Sequence, residues 1–98
     1  MENKTIQYAI RNKCIVKFTY QGYPRVVEPH AYGTTSTGEE VIRCYQIGGT
    51  SSSGKVPGWR LMEVSQIKSL VVTEEHFSGG RIGYRRGDRG MSTIFCEL

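Results

Sequence analysis

At 98 residues the chain has room for one small domain with a single modest core, which excludes the large multi-layer enzyme folds on length alone. Hydrophobic residues at 38% and charged residues at 22% describe an ordinary globular domain, and 12 glycines with six tyrosines favour strands and turns over a helical bundle. A formal charge of +4 draws phosphates and other anions to the surface without demanding them.

The N-terminus, Met1-Glu2-Asn3-Lys4-Thr5, has no apolar signal core, and no apolar run is long enough to span a bilayer. Apolar residues at Ile6, Ala9 and Ile10 then mark one face of a helix over residues 3–12, with Asn3 able to cap its first turn. From Cys14 to Tyr20 the period changes to two, and Gln21-Gly22 makes a tight turn. A second strand is expected from Arg25 to Tyr32, where Pro29 has no N–H for a ladder and forces an edge position or a bulge. If that strand stays in phase, Val26, Glu28, His30 and Tyr32 share a face.

A polar turn at residues 34–38 leads to a third strand, Glu40 to Ile47, whose Ile42 and Cys44 side is the more apolar. Residues 48–58, GGTSSSGKVPG, read as a long loop. Strand character resumes from Trp59 to Val64, Ser65 caps a single turn, and a short strand runs from Leu70 to Thr73. The expected fold is mainly β: a small five-stranded Sm-like or SH3-like barrel over residues 1–77, preceded by its helix, since a sandwich needs about seven strands. Residues 78–98 form a basic Gly/Arg-rich tail, irregular overall, that packs on the barrel or extends it through Met91 to Phe95. Cys14, Cys44 and Cys96 are odd in number and far apart, so they read as reduced buried thiols of a cytoplasmic protein.

Most of the chemically able side chains fall between Glu28 and Arg60. Gly49 to Lys55 matches seven positions of the phosphate-cradling loop G-x-x-x-x-G-K-[ST], but Val56 replaces the magnesium-binding hydroxyl and a strand, not a helix, follows. What survives is a loop whose Ser51, Ser53 and Lys55 can wrap an anion, beside the plainer reading of a solvated hairpin. Glu28 and His30, two apart on a strand, have the makings of a base with its carboxylate or of a metal pair, yet a structural hydrogen bond at a bulge is the commoner use of such a pair. With His76 outside the stretch, no third ligand is in sight, and neither a metal, a cofactor nor a catalytic residue is assigned. Arg43 and Arg60 offer planar forks to phosphate or carboxylate, while Tyr32, Tyr45 and Trp59 supply stacking surface, Glu28 and Gln46 orientation, and His30 flanks the same ligand. In the tail, Arg81, Arg85, Arg86 and Arg89, interleaved with glycine and Tyr84, have the composition of a nucleic-acid-binding segment or of plain soluble surface.

These residues carry a family likeness. From Ile6 to Phe77 the chain resembles a WYL domain, the small Sm-like barrel of bacterial and phage-encoded regulators. The likeness lies in the helix Ile6 to Ile10, the strand Val16 to Tyr20, the run Arg25-Val26-Val27-Glu28-Pro29, the strand with Arg43-Cys44-Tyr45, and Arg60 to Ile67. It is closer still to small stand-alone proteins with the pattern Glu28-Pro29-His30-x-Tyr32-Gly33, Arg43-x-Tyr45-Gln46, Gly49-x-Ser51-x-Ser53-Gly54 and Gly58-Trp59-Arg60. Glu40-Val41-Ile42 stands where the family has its three-residue signature, and Glu63 and Gln66 replace basic positions of its last motif. The resemblance implies a non-enzymatic regulatory module that binds a nucleotide or single-stranded oligonucleotide in a basic, aromatic-lined groove. The rival expectations are a protein-interaction subunit of a bacterial or phage regulatory or defence complex, which leaves self-association open, and metal-assisted hydrolysis.

Overall fold

A computed structural model describes residues 2–50 and 54–98. Helix α1 (Lys4–Arg11) begins where the sequence places it, with the Asn3 side chain accepting the Ile6 N–H at 3.0 Å. Strands β1 (Cys14–Tyr20), β2 (Tyr23–Thr34), β3 (Glu40–Gly49), β4 (Gly58–Glu63), β5 (Ile67–His76) and β6 (Thr93–Glu97) follow, with a 3-10 turn at Val64–Gln66 between β4 and β5.

All pairings are antiparallel, in the order β4-β3-β2-β1-β5, with β6 joining β2. The sheet is not closed, since β4 and β5 are its two ends and do not pair. The structure therefore shows an open six-stranded sheet in place of the expected five-stranded barrel. The sixth strand is possible because β2, at 12 residues, outruns β1: the pairing with β1 stops at Val27, and β6 takes over the same edge from Ala31 to Thr34. The approach is close enough that Gly33 has no room for a Cβ, which would run into the Thr93 carbonyl oxygen.

Pro29 brings the expected bulge. Its Cα partner is Cys44 and that of Ala31 is Arg43, so His30 is the extra residue. The insertion reverses the phase of β2. Glu28 and His30 stay on one face, but Tyr32 turns to the other, against α1 and Ile42, and no longer shares a face with them.

Strand alternation thus gives the sheet two dissimilar faces. On the first, Ile6, Ala9 and Ile10 of α1 pack with Val27, Tyr32, Ile42, Cys44 and Met62, and Phe95 of β6 meets the Tyr32 ring edge-on at 5.2 Å. The second carries Glu28, His30, Arg43, Tyr45 and Trp59 and lies beneath residues 77–92. All three cysteines are buried free thiols, and burial pushes that of Cys44 up to about 12.

Candidate functional site

The second face is built by the register of β2, β3 and β4. Glu28 pairs with Tyr45 and Tyr45 with Trp59, which places three functional side chains in a row across the strands. Arg43 follows two residues along β3, opposite Leu61. Arg60 pairs instead with Cys44, one residue out of step, and so projects to the helix-covered face. Its guanidinium donates to the Trp59 carbonyl at 2.9 Å and to that of Lys55.

Residues 77–92 lie across this row and are fastened to it by charge and hydrogen bonds. The Arg81 fork takes both oxygens of the buried Glu28 carboxylate, at 2.7 and 2.8 Å, and its guanidinium lies 4.9 Å from the Tyr45 ring centre. The Arg81 N–H donates to His30 Nε2 at 3.1 Å, while His30 Nδ1 lies 2.8 Å from the Glu28 carbonyl oxygen. The imidazole is therefore a neutral tautomer with its proton on Nδ1. It is enclosed by rings: Phe77 stacked at 5.4 Å, Trp59 edge-on at 4.8 Å and Tyr84 tilted at 5.1 Å. Burial pushes its pKa below the ordinary 6.5, with the Arg81 charge acting the same way against the opposing pull of Glu28.

Trp59 Nε1 donates to the Ile82 carbonyl at 3.2 Å, and the chain then turns at Gly83, whose φ of +94° suits glycine. A Cβ at Gly83 would sit 3.2 Å from Trp59 Nε1. Farther along, Asp88 accepts from the Arg43 fork, Nε at 2.6 Å and Nη2 at 3.1 Å, and from the Gly90 N–H at 2.8 Å. Arg43 holds the Asp88 carboxyl below the usual carboxylate range, and Asp88 in turn raises the Arg43 pKa. Met91 anchors the end of the segment in a small cluster with Ala31, Val41 and Ile94.

Between these fastenings lies an open cleft of about 690 Å³, lined by Arg43, Arg85, Arg86 and Arg89, by Trp59 and Tyr84, and by Asp88. Arg85, Arg86 and Arg89 are exposed; Arg86 is held loosely by Glu97 at 3.2 Å.

The structure thus brings Glu28, His30, Arg43, Tyr45 and Trp59 onto one face and adds Arg81, Arg85, Arg86 and Arg89 from the tail. It does not bring Tyr32, Gln46, Lys55 or Arg60 to them. The Tyr32 hydroxyl accepts from the Asn3 N–H at 2.7 Å and donates to Glu40, tying α1 to β3. Gln46 is buried on the helix side, where it accepts from Arg25 at 3.1 Å. Lys55 is exposed between β3 and β4, and Ser51 and Ser53 lie outside the described residues. Glu28 and His30 are not a base and its carboxylate, because the imidazole meets the Glu28 backbone and the carboxylate belongs to Arg81. Among the described residues no group of three or more His, Cys, Asp or Glu is placed to hold a metal ion.

Phe77 and Asp88 were not among the sequence-derived candidates, and Tyr84 entered only as part of the tail's composition. Only Asp88 carried a signal: it is the lone acid in the arginine-rich run 81–90, where one opposite charge marks a pairing partner.

The fold and cleft define a small mainly-β domain with a basic, aromatic-lined opening on one sheet face, and no described helix is long and apolar enough to cross a membrane. No protein-family model matches the chain, and no curated protein or solved structure matches it either.

Proposed function

We propose that this protein is a non-enzymatic binding module of WYL type that holds a nucleotide or single-stranded oligonucleotide in the Arg43–Trp59–Tyr84 cleft. The observation that carries the reading is the meeting of four arginines and two aromatic rings around one opening of about 690 Å³, a size suited to a small ligand. Guanidinium forks suit phosphate oxygens, and ring faces suit bases of any sequence. One further feature supports the WYL-type reading: the helix-then-strands order with its bulge at Pro29. Within it the open sheet corresponds to an Sm-like barrel left unclosed between β4 and β5. A cytoplasmic regulator is the setting that such a ligand suits.

Trp59 is the only tryptophan, so its emission reports on the cleft. Titration with adenosine monophosphate and with a ten-residue oligothymidylate should give saturable quenching that weakens as salt rises. Replacing Arg85, Arg86 and Arg89 together by alanine should weaken both by about tenfold or more, by removing charge-assisted contacts. Arg60→Ala, on the other face, should leave them unchanged. The reading fails if neither probe quenches saturably at low salt, or if the triple variant binds as the parent does.

A second reading, a protein-interaction subunit, draws on Ile82, which is 99% exposed at the turn between Arg81 and Tyr84. Ile82→Ser should abolish a partner contact there and leave nucleotide quenching intact.

A further inference from the structure

Arg43 differs from the other arginines of the cleft. It stands on β3 within the sheet and is the least exposed of them, with 28% of its side chain accessible, whereas Arg85, Arg86 and Arg89 ride on the segment above and are exposed. A fixed cation at the floor and adjustable ones at the rim make Arg43 the natural seat for an anionic group. That seat is taken. Asp88 fills the fork in the bidentate geometry that a phosphate or carboxylate ligand would adopt, and its side chain is only 9% exposed.

The carboxylate comes from a segment fastened at both ends independently of it. The Arg81–Glu28 pair and the Trp59–Ile82 hydrogen bond hold the front, while Met91 and β6 hold the rear. Within the segment Tyr84 is held by its ring contact with His30 and by its hydroxyl on the Leu98 carbonyl, and the Gly87 N–H by Glu97, so residues 88–90 are the part that can shift without detaching the chain. When Asp88 leaves Arg43, three exposed arginines of the same lining are at hand to receive it.

We infer that Asp88 is an internal stand-in for the ligand's anionic group, which a phosphate monoester displaces from Arg43 on binding. The inference rests on the cleft being an anion site. The displacing group must compete with a tethered monoanion, and a monoester, with a charge near −2 and three acceptor oxygens, does so more strongly than a diester with its single charge. Asp88 thereby sets specificity: it favours a terminal phosphate, as in a mononucleotide, over the internal phosphates of a strand.

The test compares adenosine monophosphate with an oligothymidylate lacking terminal phosphates, both read by Trp59 quenching. Asp88→Asn keeps the shape and the contact with Gly90 but removes the charge. It should tighten oligothymidylate binding by about fivefold, the worth of a partly exposed ion pair, and narrow the preference for the monoester. Glu97→Gln removes the same charge beside Arg86 without touching Arg43 and should change binding by less than about twofold. In an Arg43→Gln background the gain from Asp88→Asn should vanish. A gain that persists there, or is matched by Glu97→Gln, shows a general field effect and overturns the inference. If the parent binds and Asp88→Asn changes nothing, the inference alone falls. If neither parent nor Asp88→Asn binds either probe, the proposed function falls as well.

Discussion

The two faces of the sheet are made by the same strands and covered by different means. Beneath α1 the contacts are mainly apolar, with the Tyr32 hydroxyl as the polar exception: Ile10, Val27, Tyr32 and Cys44 have no exposed surface, and the cover is held chiefly by the area removed from water. Beneath residues 77–92 the cover is held by matched groups: the forks of Arg81 and Arg43 on two carboxylates, an indole N–H on a carbonyl and an imidazole nitrogen on a backbone N–H. A cover of the first kind is indifferent to salt and resists local opening. The second weakens with salt and pH and can exchange partners, which is what a binding face requires.

Replacing a side chain on the apolar face should have the largest effect. Ile10→Ala, at a site with no exposure, should cost about 2–5 kcal/mol, seen as a lower urea midpoint with an unchanged slope. Arg81→Ala attacks the other cover, leaving the buried Glu28 carboxylate without its fork. Its effect should be local: faster amide exchange over residues 82–91 and a red-shifted Trp59 emission, with the amides of Ile42 and Cys44 protected as before. If the loss spread to β3, the two covers would not be separable and the comparison would break.

Much of this division is legible in the sequence, up to the point where register decides. The helix with its Asn3 cap, the alternation of β1 and the bulge at Pro29 follow from local chemistry. The phase beyond the bulge does not, because one inserted residue, His30, sends Tyr32 to the helix side. Likewise Arg43 and Arg60 look like partners on adjacent strands. Only the pairing of Cys44 with Arg60 shows them on opposite faces, and nothing in the 48–58 loop fixes that pairing in advance. The tail was harder still. TIFCE is a short segment whose strand character depends on the β2 edge vacated by β1, and Asp88 meets Arg43 across 45 residues of chain.

The smallest expected effects are those of pH, and they separate the faces most sharply. On the tail side the groups facing His30 are Glu28, Arg81, Trp59, Phe77 and Tyr84, and burial holds its pKa below 6.5. The unfolded chain then binds the proton first, so stability is fully present above about 6.5 and falls as pH drops through the folded value. Asp88, whose folded pKa lies below 3.8, adds a second loss farther into acid as its pair with Arg43 is discharged. On the helix side the sign is reversed. Burial and Glu40 push the Tyr32 hydroxyl up to about 12 from its ordinary 10, so the unfolded chain loses its proton first and stability falls between those values. Acid should therefore loosen the tail face and alkali the helix face. Urea midpoints measured across pH check this: His30→Gln should flatten the slope just below 6.5, and Tyr32→Phe the slope from 10 to about 12. A slope below 6.5 that survives in His30→Gln would mean that the imidazole is not the group through which acid reaches the tail.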